Sequence, residues 1–136
     1  MNRQEVFDIS GLHMMKQFAK SEIAVNPECT WMSCRYRSPE GLKCGIGALI
    51  CDDAYHEKLE GKSAVGGHVK HALLASGYAV HDKDDHFLIE EIQRIHDSRP
   101  VGDWIYQLQR VAEKLNLDST KVTIAAAEYG RIPNDM

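Results

Sequence analysis

A chain of 136 residues, 43% hydrophobic and 26% charged, has the size and composition of one globular domain with a core of its own. Its formal net charge of -4 argues against broad nucleic-acid binding, which draws on clustered positive charge, so nucleic acid is not an expected partner. No apolar run reaches the ~18 residues of a bilayer span, and no membrane partner is expected.

The opening residues, Met1 to Asp8, carry acids and no apolar signal core. This predicts a protein that stays in the cytoplasm with its four cysteines reduced. From Arg3 to about Lys20 helix formers dominate, with Phe7, Met14, Met15 and Phe18 near one face and Gly11 as a weak spot. Asn26-Pro27 then breaks the helix.

A tight β-hairpin is expected over about residues 33–45. Ser38-Pro39-Glu40-Gly41 supplies proline and a left-handed glycine where a turn wants them. The register sets Arg37 opposite Lys43 and Tyr36 opposite Cys44. Alternation then sends Cys34, Tyr36, Leu42 and Cys44 toward the core, and Arg35, Arg37 and Lys43 toward water.

Gly45-Ile46-Gly47 turns the chain into a short helix, Ala48 to about Cys51, followed by a second over Asp52 to Glu60 that stops at Gly61. His68 to Ser76 reads as a helix with Val69, Ala72 and Leu73 inward. The acidic run His81 to Asp85 caps the next helix, whose Leu88, Ile92 and Ile95 keep helical spacing, and reads as capping and solubility. Beyond Arg99-Pro100, the residues Val101, Trp104, Ile105, Leu108, Val111, Ala112 and Leu115 form the clearest apolar stripe, with Tyr106 outside it. Residues 122–127 fit a strand or a helix equally. The expected fold is α+β, mainly α: a helical domain with a small hairpin packed on it.

Three kinds of chemistry fit these residues. The first is anion binding: Arg35, Arg37 and Lys43 project from one hairpin face beside backbone amides at Gly45, Ile46 and Gly47. The plainer alternative is a solvated face, or Arg37 pairing internally with an acid such as Glu60. The second is a thiol nucleophile: Cys44 lies beside Lys43 at a helix entry, with His96-Asp97 as base and orienting group. The third is structural zinc held by Cys29, Cys34, Cys44 and Cys51, or by His68 and His71. The cysteine spacings lack a close pair, so these sulfurs read better as small buried apolar groups. No cofactor and no resident metal are expected.

The run Cys34-x-Tyr36-Arg37-x3-Gly41-x-Lys43-Cys44-x-Ile46-Gly47-x-Leu49-Ile50, followed by Asp53, Tyr55, Glu60 and Gly61, resembles a family of small uncharacterised proteins of bacteria and their phages. His96, Asp97 and Trp104 resemble that family's later positions. Cys51 departs from it, standing where relatives often carry proline. The resemblance implies a shared architecture and a phage or bacterial origin, and supplies no mechanism.

The leading expectation is therefore a small non-catalytic binding or regulatory protein. It would hold a host protein or a small anionic ligand through Arg35, Arg37, Lys43, Gly45 and Gly47. The alternatives are a hydrolase or transferase using Cys44 and His96, and a structural zinc domain.

Overall fold

The computed structural model describes residues 1–25, 28 and 32–132. The Asn26-Pro27 break and Cys29 lie outside them. Helix α1 (Arg3–Gln17) begins where Asn2 accepts the Glu5 N–H at 2.8 Å while the Glu5 carboxylate accepts the Asn2 N–H at 3.0 Å. This reciprocal pair satisfies two amides that a helix start leaves open. Val6, Phe7, Met14 and Met15 form its buried face. Gly11 is no weak spot: a Cβ there would lie 2.6 Å from Val122 Cγ2, so glycine is what lets helix α5 (Thr120–Glu128) lie against α1. The undecided segment is thus a helix. Val122, Ala125 and Ala126 fall at i, i+3 and i+4, and packing against α1 buries that face.

Helices α2 (Gly67–Ala75), α3 (Lys83–Ser98) and α4 (Trp104–Leu115) complete the helical part. The expected stripe on α4 is buried from Trp104 to Ala112 and packs on Leu88, Ile89, Ile92 and Ile95 of α3. Fully burying each such side chain contributes ~1.5–3 kcal/mol. Tyr106 is half-buried against this core rather than outside it.

The acids before α3 do more than keep it soluble. Asp82 caps the helix, and Asp85 turns inward. The Asp85 carboxylate accepts from the Tyr78 hydroxyl and Arg3 Nε, both at 2.8 Å, and from the His81 and Asp82 amides. Arg3 also reaches Asp82 at 2.6 Å, which ties the first turn of α1 to the cap of α3.

The β part is smaller and placed differently from the expected hairpin, within the mainly-α α+β fold that was expected. Strand β1 (Glu22–Ala24) pairs antiparallel with β2 (Met32–Cys34), in the register Glu22↔Cys34, Ile23↔Ser33, Ala24↔Met32. The Ser38–Gly41 turn forms as read, with Gly41 at φ 87° and the Arg37↔Lys43 bridge in place. That ladder stops after one bridge. The Tyr36 amide donates to the Glu60 carboxylate instead, and the Cys44 carbonyl accepts from the Ala48 amide. The two short helices expected between Ala48 and Glu60 are single 3-10 turns, Gly47–Leu49 and Glu57–Leu59. Isolated segments of that length do not repay helix nucleation. Among the described residues, no helix is long and apolar enough to cross a membrane.

Two tests follow from this packing. Burial opposes the Asp85 charge, yet the bonds from His81, Tyr78, Arg3 and Asp82 outweigh it and lower its pKa from 3.8 to about 2. The unfolded chain therefore binds this proton first. The stabilisation is complete above pH ~4 and is lost as pH falls toward 2. Asp85→Asn should cost on the order of 2–3 kcal/mol at pH 7 in urea unfolding, with a gap from wild type that narrows below pH ~4. A Cβ on Gly47 would sit 2.0 Å from the Tyr36 carbonyl oxygen, whereas one on Gly67 meets open space. Gly47→Ala should therefore destabilise by about 3 kcal/mol or more, and Gly67→Ala should be neutral or stabilising by up to ~1 kcal/mol, read from the same unfolding curves.

Candidate functional site

The end of β2 delivers Cys34 to the last two turns of α3, where Gln93 and Asp97 share a face at i and i+4. Cys34 Sγ, a His96 ring nitrogen and an Asp97 oxygen lie within 4.8 Å of one another. His96 is fully buried and stacks on Trp104 with ring centroids 5.6 Å apart. Its Nε2 accepts the Ser21 backbone N–H at 2.9 Å. A neutral imidazole has one acceptor nitrogen, so the ring proton is on Nδ1, which donates to Asp97 Oδ1 at 2.8 Å.

Asp97 also takes both hydrogen bonds from the Gln93 amide, at 2.9 and 3.1 Å, and lies beside the Cys34 thiol. Burial opposes its charge, but these donors hold its carboxyl below the usual range. Burial, reinforced by the Asp97 charge, pushes the Cys34 thiol up to about 12. It is therefore a protonated donor at neutral pH, not a thiolate.

This wiring decides what the cluster can do. A thiol–imidazole pair needs the basic nitrogen of the histidine to face the sulfur. Here that nitrogen faces the Ser21 amide, and the other carries a proton that it donates to Asp97. The same argument applies to a metal: binding at Nδ1 would move the proton to Nε2, against the Ser21 N–H. In this arrangement Ser21, His96, Asp97 and Gln93 form a hydrogen-bonded chain with the Cys34 thiol beside it.

The sequence-predicted residues are distributed differently. Cys44 is fully buried; burial pushes its thiol to about 12, although the Gly47 and Ile46 amides act the other way. Its sulfur accepts the Gly47 N–H at 3.2 Å and lies 3.5 Å from Gln93 Oε1. Gln93 thus lies between Cys44 and the His96–Asp97 pair, and Cys34 takes the place beside Asp97. Arg35 makes a bidentate pair with Glu57 at 2.7 and 2.8 Å. Arg37 pairs with Asp52 at 2.9 Å, donates to the Ile50 carbonyl and lies 4.4 Å over the Tyr55 ring. Glu60 accepts the amides of Tyr36 and Arg37 and the Tyr55 hydroxyl. The Lys43 backbone is held by Gln17 and His13. Gly45 and Gly47 are buried, and the Gly45 carbonyl accepts from Ser10. Both ribbon guanidinium groups have carboxylate partners, although Arg37 Nε is buried without a hydrogen-bond partner among the described residues.

The open space lies on the other face of the ribbon. A cleft of about 500 Å³ is lined by Cys34, Tyr36, the Gly61–Val65 loop and Glu90, Gln93, Arg94, Asp97 and Ser98 of α3. His96 does not line it. Sequence reasoning missed Gln93 and the cleft loop. The signal available for Gln93 was its i, i+4 spacing to Asp97. Comparison with protein-family models, curated proteins and solved structures gave no match.

Reactivity separates the cysteines. Cys51 is exposed, and hydrogen bonds from the Ser76 hydroxyl and the Ala54 amide lower its pKa. Iodoacetamide at pH 7 followed by peptide mapping should label Cys51 ahead of Cys34 and Cys44, which should be slower by at least about tenfold. Rapid labelling of Cys34 would contradict the hydrogen-bond chain.

Proposed function

We propose that this chain is a small non-catalytic binding or regulatory protein of phage or prophage origin, acting in the cytoplasm on a protein of its host. The observation that carries this reading is the cleft whose wall presents a protonated thiol and a saturated carboxylate while the imidazole is turned away. At the thiol, such a wall offers hydrogen-bond donors and acceptors rather than an activated nucleophile with its base beside it. The phage origin rests on the motif from Cys34 to Gly61. The recognition surface is the cleft side of the ribbon, because Arg35 and Arg37 on its other side already have carboxylate partners.

A polypeptide segment of mixed charge suits the cleft. Glu90 and Asp97 stand opposite in sign to Lys62 and Arg94, the serines at 63 and 98 add hydroxyls, and Ala64, Val65 and Tyr36 add apolar surface. Mixed polar and apolar lining of this kind is typical of protein contact surfaces. Most of the wall belongs to α3 and to side chains already held in hydrogen bonds, so little ordering entropy is lost on binding.

A photoreactive residue placed at Ser63 tests this in a bacterial host, with the same residue at exposed Ile124 on α5 as control. One host protein should crosslink from position 63 and not from 124. Once purified, that protein should bind at least about tenfold more weakly to the Glu90→Lys variant, since one close charge is reversed. Identical crosslinks from both positions, or equal affinity of the variant, would overturn the reading. Covalent capture of Cys44 by an acyl or alkyl substrate would favour the hydrolase or transferase alternative, and capture of Cys34 a related one with a different thiol.

A further inference from the structure

A second cavity, of about 330 Å³, lies between α3 and α4. Arg94, Arg99, Arg110 and Lys114 line it, and Glu91 is its single acid. In a chain of net charge -4, four cations against one carboxylate is a local reversal of sign. The three α4 residues Gln107, Arg110 and Lys114 follow at i, i+3 and i+7, so one helix face carries all of them.

Their partners differ. Arg94 is matched by Glu91 at 2.8 and 3.1 Å. Arg99 approaches Asp103 only at 4.0 Å. Lys114 rests over the Phe87 ring with its nitrogen 5.0 Å from the centroid, and makes no ion pair among the described residues. Arg110 has neither an ion pair nor a side-chain hydrogen bond among them. Gln107 is only 9% exposed, and its amide, which lines the same cavity, has no hydrogen-bond partner among the described residues. An amide at a cavity wall is open to pairing with water or a ligand. Guanidinium groups are suited to bidentate contact with phosphate oxygens, and the Gln107 amide adds a neutral donor at the base.

We infer that the α3–α4 groove is a binding site for a small polyphosphate-type anion. Arg99, Arg110 and Lys114 supply the charge, and Gln107 donates from the buried side. This site is separate from the cleft of the proposed function and does not depend on it. Only Arg94 lines both.

Pyrophosphate titrated into the labelled protein at about 100 mM salt, where exposed charges are largely screened, provides the test by amide chemical shifts. Saturable shifts should be confined to residues around 91–114, and orthophosphate should bind more weakly. Arg110→Gln with Lys114→Gln should weaken pyrophosphate at least about tenfold, and Gln107→Leu about threefold or more, with folded spectra retained. Shifts that never saturate, that spread over all surface cations, or that survive the double substitution would overturn the inference. So would shifts confined to Cys34 to Val65, which would place the ligand in the cleft.

Discussion

A buried backbone amide must find an acceptor, and this requirement governs the long stretch between α1 and α2. From Phe18 to Gly66 the chain contains only two three-residue strands and two single 3-10 turns among the described residues. Side chains from the helices and from Glu60 supply what a larger sheet would have supplied. Gln17 holds the Lys43 amide and carbonyl, Ser10 the Gly45 carbonyl, and His96 the Ser21 amide. Glu60 bridges two successive ribbon amides and the Tyr55 hydroxyl. These bonds set where β2 ends and therefore where Cys34 meets α3.

The same duty limits the chemistry available. His96 is a chemically suggestive residue, next to an aspartate and near a cysteine. Its basic nitrogen is committed to holding a loop, so it does not face open space or a thiol. Gln93 and Asp97 are likewise satisfied by their neighbours. The cations of the ribbon follow the same logic, since Glu57, Glu60 and Asp52 surround them. On α4, Arg110 and Lys114 make no ion pair among the described residues. The open space among the described residues lies at the cleft beside Cys34 and Tyr36 and in the α3–α4 groove.

Several features were legible because their cause is local. The α4 stripe repeats over three turns, so its buried face and its end at Asn116 could be read directly. The turn at Ser38–Gly41 follows from proline and a left-handed glycine, and it carried the Arg37↔Lys43 pairing with it. Burial of Tyr36 and Cys44 followed from alternation. The acid before α3 could be read as a cap, but the inward turn of Asp85 depends on Tyr78 and on Arg3 from another helix. The β1–β2 ladder was not legible, since Glu22-Ile-Ala and Met32-Ser-Cys are too short to show a period. The segment from 122 stayed ambiguous because an alanine-rich run has little polar alternation to distinguish strand from helix.

The chain's own letters determined the class of fold, the helical spans with strong periodicity, the turn, and the adjacency of His96 and Asp97. Those follow from backbone preference and side-chain spacing, which act over a few residues. Which cysteine meets that pair, which nitrogen of His96 carries the proton, and which cations remain unmatched depended on contacts between residues tens of positions apart. Such choices are made when distant segments compete for the same buried hydrogen-bonding groups. Only the assembled tertiary structure resolves that competition.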